Sequence, residues 1–502
     1  MVKSDPDAPF TILSETRKRW TITIASLVTF VSPVSANIYY PALNPLAHDL
    51  HVSSENITLT ITVFMVRPHK RWPLIPGLVD FGLTMSAQIV QGIGPLMMAG
   101  FSDVYGRRPI VLLSLFLYLG VSIGLALQTS YPVLMALRCL QSFGSSTATV
   151  ICSSVAADLV PRSERGRYMI YSSLGVTLGP AIGPIVGGIL THFLDWRSTF
   201  WFLAIWAGVM IAVLFVFSPE TCRAVVGNGS VPPVSWNRPL VQHLSRKAVA
   251  SDYASREELK EIRATRKRPT PLDALRVSTQ KESCAIIAFS TVLFSGYVAV
   301  ISSLPSQLER KYSFNSLQVG LCYIPYGIGS LTSRWTIGRL IDWNFRRHAQ
   351  KQGIEIVKNR QIQMTSMPAE KARLEITIPV IYGAALVMTG YGWTMNYQVN
   401  LAGPLIMLFF IAHLVAGATS TLITLLVDCH IRRPATASSA NNLFRCCCGA
   451  GAVAAVVPLI NKIGVGWTGT IIGFIWVAFS PLLWGVFYWG HGYRKARETS
   501  QS

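Results

Sequence analysis

The sequence GVTLGPAIGPIVGG, residues 175–188, decides the fold of this chain. Small residues spaced four apart leave a groove without side chains along one face of a helix. Inside a bilayer, such a groove lets a neighbouring backbone approach closely. Pro180 and Pro184 each remove an amide donor and bend the helix. The stretch predicts a bent, tightly packed membrane helix whose groove is formed by Gly175, Gly179, Gly183 and Gly187, with Gly188 beside it.

The composition is that of a membrane protein. Of the 502 residues, 51% are hydrophobic and only 14% are charged, which is too apolar for an ordinary soluble enzyme. Lys and Arg outnumber Asp and Glu by 44 to 24, giving a net charge of +20. Because the basic residues concentrate in a few short loops, they indicate membrane orientation rather than binding to nucleic acid. The nine cysteines show no metal-ligand spacing, so we expect neither a metal nor a cofactor.

The predicted fold is an all-α polytopic membrane protein with twelve transmembrane helices in two pseudo-symmetric six-helix bundles. The bundles cover residues 20–217 and 284–489. Residues 1–19 form an N-terminal tail, 218–283 a polar central linker and 490–502 a C-terminal tail. The apolar windows are 20–40, 57–65 continued by 89–99, 110–127, 132–156, 168–191, 199–217, 284–304, 316–337, 376–393, 401–427, 437–459 and 468–489.

Arginine pairs set the expected orientation. Pairs at 107–108, 346–347 and 432–433 fall on alternate loops, whereas the loops 128–131 and 396–400 contain no Lys or Arg. The positive-inside rule therefore places both termini and the central linker in the cytosol. We expect an integral protein of the plasma membrane, or else of a vacuolar or other internal membrane.

Residues 66–88 are an anomalous insertion in the second span. They include Arg67, Lys70, three prolines and Asp80, which a lipid-facing helix does not accommodate cheaply. Without them, 57–65 joins 89–99 into about 20 apolar residues, one bilayer thickness. Our hypothesis is a retained intron translated in frame, and the alternative is a genuine extracellular or re-entrant insertion. A main transcript that carries the segment would exclude the intron. In the chain as written, we expect an excursion over 66–81 and a new helix from about 83 to 103.

A loop motif occurs once in each half. Residues 99–108 read AGFSDVYGRR and residues 338–347 read GRLIDWNFRR, with the same spacing from the aspartate to the arginine pair. A carboxylate at the end of a span can interact with the positive N-terminus of another helix, and the following arginine can pair with a second acid. We expect coupled conformational changes to depend on Asp103, Arg107, Arg108, Asp158, Asp342, Arg346 and Asp428.

Arg138 and Gln141 occur within the fourth span, in RCLQSFG at 138–144. A guanidinium inside a span is costly and should face a cavity or a partner. One reading is a role in proton coupling, since a cation lowers the pKa of a nearby carboxyl. The alternative is snorkelling to the outer surface, because Arg138 lies only some two turns from Pro132.

Polar and aromatic residues within other spans are candidates for the substrate cavity. His413 could titrate near neutrality or be hydrogen-bonded for structural reasons. The asparagines could face the cavity or bridge helices. The tyrosines could line a pocket or anchor the membrane interface. The candidates are Asn37, Tyr297, Tyr323, Tyr326, His413, Asn441 and Asn442.

These motifs together resemble the major facilitator superfamily. The sequence at 175–188 is similar to the antiporter motif GxxxGPxxGPxxGG of its drug:proton antiporters, 99–108 to its loop motif GxLxDxxGRR, and 138–144 to RxxQxxG. Residues 219–237, with PET, VGNGS, PP and WN, resemble the quinidine-resistance-like subgroup of fungal twelve-span antiporters. The departures are Ala99, Ser142 and Phe345, each in place of a glycine that is common in the motif.

The resemblance implies a function that composition alone does not. It implies a monomeric, proton-coupled transporter that exports amphipathic or cationic small molecules by alternating access, with roles in coupling for the motif residues. The chain contains no nucleotide-phosphate loop and no catalytic spacing, so we expect neither ATP drive nor an enzyme. Two alternatives remain open: a uniporter or symporter for a nutrient or polyamine on the same fold, and a transport-dead membrane protein if 66–88 is translated.

Overall fold

A computed structural model describes residues 11–42, 45–46, 49, 86–160, 165–227, 229, 231, 233–241, 278–351, 369–430 and 434–501. All regular structure in these ranges is helical. The helices are α1 Glu15–Thr29, α2 Val31–Asn37, α3 Ser86–Tyr105, α4 Arg107–Leu127, α5 Tyr131–Leu159, α6 Arg165–Phe193, α7 Trp196–Phe217, α8 Arg223–Val226, α9 Lys281–Tyr312, α10 Ser316–Leu321, α11 Ile324–Lys351, α12 Ala369–Asn396, α13 Ala402–Cys429, α14 Pro434–Phe479 and α15 Pro481–Gln501, with short 3-10 turns at Tyr40–Ala42 and Ser235–Asn237.

Several of these helices have the length and composition of membrane spans. Seven segments in the described part of the chain are long and apolar enough to cross a bilayer. They are Glu15–Ala42, Arg107–Leu127, Trp196–Phe217, Lys281–Tyr312, Ala369–Asn396, Ala402–Cys429 and Ala437–Arg494. The all-α fold class predicted from the sequence is confirmed.

Two predicted spans differ from the observed helices. The window 316–337 consists of α10 and the much longer α11, which continues to Lys351. The hydropathy window missed this end because it is polar: Asn344 donates to the Ala372 carbonyl at 2.8 Å, and His348 contacts Glu375 at 2.8 Å. The windows 437–459 and 468–489 follow each other across a break in α14 at Gly464, where φ is 83°. The window 468–489 is interrupted again before Pro481, where α15 begins.

The predicted insertion lies mostly outside the described residues. The expected excursion over 66–81 lies in this part of the chain. The helix that follows it, α3, is described from Ser86 and ends at Tyr105, close to the predicted range of about 83 to 103. This helix contains Pro95.

The glycine groove of α6 holds the first membrane helix. The Gly175 amide donates to Ser26 Oγ at 3.1 Å. A Cβ atom at Gly179 would lie 2.5 Å from the Pro33 Cβ, and a Cβ atom at Gly187 would overlap the Ile38 carbonyl oxygen. The predicted close helix contact is therefore present, and its partners are α1 and α2.

A second face of α6 contacts the other half of the protein. A Cβ atom at Gly188 would lie 2.7 Å from the Ser316 carbonyl oxygen and 3.1 Å from the Gly320 Cα. Further along, Gly327 of α11 packs directly on Ala181. Helix α6 is thus fixed between α1–α2 of its own half and α10–α11 of the other half.

A buried ion pair ties the C-terminal helix to the second bundle. Arg494 Nε lies 3.2 Å from Glu370 Oε1, and the two side chains are 2% and 0% exposed. The pair joins α15 to the start of α12. The predicted tail boundary at 490 therefore falls inside α15, and Arg494 packs against the second bundle.

Candidate substrate cavity

A cavity of about 460 Å³ lies between the two halves. Helices α2 and α5 of the first half and α9, α11, α13 and α14 of the second contribute to its wall. Its polar lining includes Ser32, Ser35, Ser142, Ser145, Ser330 and Ser333, and its apolar lining includes Phe294, Val298, Ile301, Ile341, Val415 and Ile423. The volume falls within the roughly 300–1,000 Å³ of sites for drug-sized ligands.

One end of the cavity is closed by aromatic rings from both halves. Tyr40 lines the cavity and stacks on Tyr323, with ring centroids 5.9 Å apart and planes 7° from parallel. Tyr323 also donates its hydroxyl to the Ile301 carbonyl at 2.8 Å. The close Gly188–Gly320 contact lies on the same side. The halves therefore meet at this end.

Arg138 faces the cavity and does not snorkel. Its Nη1 donates to Gln141 Oε1 at 2.8 Å, and its guanidinium lies 4.3 Å from the Tyr39 ring centroid. Gln141 Nε2 in turn donates to Ser122 Oγ at 3.0 Å. The groups that orient the guanidinium, the Gln141 amide and the Tyr39 ring, are both uncharged.

Arg445 occupies a similar setting in the second half. Its Nη2 donates to Asn442 Oδ1 at 3.0 Å, and its guanidinium lies 4.5 Å from the Phe294 ring centroid. The Nε atom is buried and has no hydrogen-bond partner among the described atoms. Arg334 of α11 also lines the cavity.

The described lining of the cavity carries basic side chains from both halves. Its described lining contains Arg138, Arg334 and Arg445, and none of the lining residues in that part of the chain is Asp or Glu. Sequence reasoning singled out only Arg138. The signal for the other two was available, since an ionisable residue within a membrane span is by default a candidate for function.

The predicted cavity residues divide into three groups. Asn37, Tyr297, Tyr326 and Asn442 line the cavity, together with the predicted coupling residues Arg138, Gln141 and Pro180. Tyr323 lies behind Tyr40, and Asn441 is buried away from the cavity lining. His413 lies between two threonines, with its ring nitrogens 2.9 Å from Thr332 Oγ1 and 2.9 Å from Thr336 Oγ1. His413 therefore has the hydrogen-bonded setting of a structural histidine.

The loop motif of the first half forms the ion pair expected from the sequence. Arg107 Nε donates to Asp158 Oδ2 at 3.1 Å, and Arg107 Nη1 donates to Ser102 Oγ at 2.5 Å. Arg108 is buried and donates through Nη2 to the Phe215 carbonyl at 3.0 Å. The backbone of Asp103 belongs to α3, but its side chain lies outside the described part of the structure.

The second copy of the motif is arranged differently. Asp428 pairs with Arg373 of α12 at 2.7 Å, whereas Asp342 and Arg346 are exposed on α11. Phe345 stands where the first copy has a turn-forming glycine, so α11 continues through the motif without a break. The two halves thus share an ion pair at the ends of α5 and α13, but the second half takes its arginine from another helix.

Glu220, three residues after the end of α7, anchors the linker to the start of α4. Its Oε1 accepts from the amides of Arg107, Thr221 and Cys222, each at 2.9 Å. Its Oε2 accepts from the Arg108 amide at 3.3 Å and from Asn237 Nδ2 at 2.8 Å. A carboxylate is well placed at a helix N-terminus, where unpaired amides and the helix dipole are positive.

The loop conformation beside Glu220 and the short helix α8 complete this linker contact. Gly106 adopts φ 111°, and a Cβ atom there would overlap Glu220 Oε2. Arg223 of α8 lies near Asp158: burial lowers the pKa of Arg223 and the nearby Asp158 carboxylate raises it, with burial the larger cause. The PET sequence at 219–221 and the WN sequence at 236–237 therefore meet at one site on the first bundle.

Replacement of Glu220 tests this anchor. Glu220→Ala should lower the melting temperature of the purified protein, because it leaves buried amides without an acceptor, at about 1–3 kcal/mol for each unsatisfied group. Glu220→Gln should be milder: Asn237 can turn its amide, whose Oδ1 is buried and has no hydrogen-bond partner among the described atoms, toward the new NH₂ group. Equal melting temperatures for Glu220→Ala and the unmodified protein would contradict the role of the anchor.

Comparison with known proteins agrees with this architecture. The sequence profile described as Major Facilitator Superfamily matches residues 25–455. The chain is 43% identical over 490 residues to MFS-type transporter R5 of a Phoma species, covering 98% of this chain and 88% of that protein. It is 31% identical over 502 residues to Citrate exporter 1 of Aspergillus niger, covering 99% and 90%.

The fold also resembles that of a solved transporter. A partially occluded inward-open structure of the xylose transporter XylE from E. coli superposes with a TM-score of 0.61 at 15% identity, covering 93% of this chain and 97% of that one. At this identity the likeness concerns the fold alone.

Proposed function

This chain belongs to the Major Facilitator Superfamily, and we propose from that premise that it exports organic anions through the cavity between its halves. It is a multi-pass membrane transporter of a family of transporters rather than of enzymes. The observation that carries the proposal is the charge of the cavity. Three arginines line it, and the described lining contains no Asp or Glu.

Electrostatics favours an anion over the cationic substrates that the family resemblance implies. Removing a cation from water is costly unless a counter-charge compensates it. The planar guanidinium matches a carboxylate with two parallel hydrogen bonds. A cationic substrate would instead be repelled by Arg138 and Arg445, whose described contacts are with uncharged groups. The name of the Aspergillus niger relative, Citrate exporter 1, supports the same class of substrate.

The membrane potential supplies a driving force for this direction. Moving one charge across the membrane is worth about 2.3 kcal/mol per 100 mV. With the cytosol negative, an anion therefore leaves the cell downhill. Proton exchange, drug efflux and membership of the antiporter branch stay predictions from the resemblance. In the proposed orientation both termini are cytosolic and the protein resides in the plasma membrane.

Alternating access is the proposed transport cycle. The Tyr40–Tyr323 stack and the Gly188–Gly320 contact close one end of the cavity. Rocking of the halves about the midplane would part these contacts and close the opposite end. The ion pairs of Asp158 and Asp428 lie near that opposite end, where they can stabilise one state and release in the other.

Reconstituted vesicles test the proposal. Purified protein in proteoliposomes should transport citrate and alkyl carboxylates, and valinomycin-clamped potentials should change the rate in the direction expected for a moving anion. Tetraphenylphosphonium should not be transported. Faster transport of that cation than of any anion would overturn the proposal. An imposed pH gradient at zero potential tests proton exchange separately.

A further inference from the structure

We propose, resting on the proposed anion export, that the substrate is an amphipathic organic acid with at least two acidic groups. Arg138 of the first half binds one group and Arg445 of the second half binds another. The apolar body of the substrate lies on the aromatic and aliphatic wall between them.

The two arginines are held by the same device. An amide side chain three residues away fixes one guanidinium nitrogen in each case: Gln141 for Arg138 at 2.8 Å and Asn442 for Arg445 at 3.0 Å. An aromatic ring then lies along the guanidinium, at 4.3 Å for Tyr39 and 4.5 Å for Phe294. Each arginine is thus oriented in advance, which lowers the entropic cost of binding a carboxylate.

The hydrogen bonds and rings that orient these arginines come from neutral groups. Gln141 is itself fixed by a hydrogen bond to Ser122, so its carbonyl oxygen is committed to Arg138. At Arg445 the buried Nε has no hydrogen-bond partner among the described atoms. A buried donor without an acceptor is rare in proteins and calls for a specific explanation. An acidic group of the substrate would provide this acceptor.

Two arginines on two separate halves require two acidic groups. A substrate with one carboxylate could compensate one guanidinium and would leave the other desolvated and without its counter-charge. A substrate with two carboxylates bridges the halves, so that its binding stabilises the state in which they are close. The placement of the arginines therefore predicts that the site prefers a substrate with a second acidic group.

Part of the wall between the arginines is aromatic and aliphatic. Tyr297 and Tyr326 stack with ring centroids 5.8 Å apart, and Val298 and Ile301 continue the surface along α9. The rings and aliphatic side chains of this part can bury hydrocarbon. With a cavity of about 460 Å³, the site accommodates a carbon skeleton attached to the acidic groups.

A matched series of ligands tests the second charge. The probes are 2-octylsuccinate, its monomethyl ester and nonanoate, applied to the purified full-length protein in thermal-shift binding and to proteoliposomes in transport. We expect the diacid to bind at least tenfold more tightly than the monoester, since a charge-assisted bidentate pair is lost. Arg445→Gln should remove this preference without weakening the monoester. Arg310→Gln, on an exposed residue outside the cavity, should retain it.

The outcomes separate this inference from the proposed function. Equal binding and transport of diacid, monoester and nonanoate would overturn the two-charge inference and leave anion export standing. Failure of every anion would overturn both. Arg445→Lys keeps the positive charge but loses the planar guanidinium that can form two parallel hydrogen bonds with a carboxylate. This variant should keep the fold while reducing the preference for the diacid. If Arg445→Gln keeps the full preference, the second acidic group is bound elsewhere and the inference is wrong.

Discussion

Gly187→Leu is expected to abolish surface expression and transport. A Cβ atom at this position would overlap the carbonyl oxygen of Ile38, directly after α2, and a shift of this backbone would also disturb the contact of Pro33 with Gly179. Overpacking a close helix contact typically costs about 1–3 kcal/mol and more where backbone must move. Surface labelling of a tagged protein, followed by transport per labelled molecule, measures both effects.

A graded series within the same groove sharpens this expectation. Gly183→Ala should be milder than Gly187→Ala, because its Cβ atom would lie 3.1 Å from the Ile38 amide, where a small shift relieves the contact. Gly179→Leu should reduce surface expression and transport more than Leu178→Ala does. Gly208→Leu in α7 is the matched control, since a Cβ atom there meets nothing within 4 Å. Equal tolerance at Gly187 and Gly208 would contradict the tight packing of α6.

Much of the fold could be predicted from local patterns in the sequence. Glycine at every fourth position predicted a close helix contact correctly, because the spacing directly determines which face lacks side chains. It did not identify the partners of α6, which are α1–α2 on one face and α10–α11 on the other. That choice depends on tertiary packing between segments far apart in the chain.

The candidate site was harder to predict. Arg138 belongs to the RCLQSFG motif and is predicted by it, whereas Arg334 and Arg445 lie in the apolar windows 316–337 and 437–459 and belong to no motif. The expected substrate class, amphipathic or cationic small molecules, came from the family resemblance and not from the residues that line the cavity. Similarly, repeated spacing suggested that Asp342 and Arg346 copy the first half. Phe345 in place of glycine keeps α11 straight there, and Arg373, remote in sequence, pairs with Asp428 instead.

Glu370→Gln is expected to be the most destabilising conservative change in the second half. Its ion pair with Arg494 has an N–O distance of 3.2 Å and is almost completely buried. Breaking a buried pair by removing one charge costs about 3–5 kcal/mol, because the remaining charge stays desolvated. The melting temperature of the detergent-solubilised protein should fall clearly, and truncation after Gly490, which removes Arg494, should reproduce the loss.

A matched surface pair provides the control for this prediction. Glu15 and Lys18 form a shorter contact of 2.8 Å, but the Glu15 side chain is 59% exposed. Glu15→Gln should therefore change stability by at most about 1 kcal/mol.

The double variant Glu370→Leu with Arg494→Met distinguishes charge from packing. Replacing a whole buried ion pair by apolar residues of similar size is often neutral, so the double variant should recover much of the stability that Glu370→Gln loses. If the double variant is instead as unstable as the single one, the shape and polar contacts of these two side chains, rather than the pairing of their charges, hold α15 against α12. If Glu370→Gln alone has no effect, the pair is not desolvated and the packing of α15 against α12 does not depend on it.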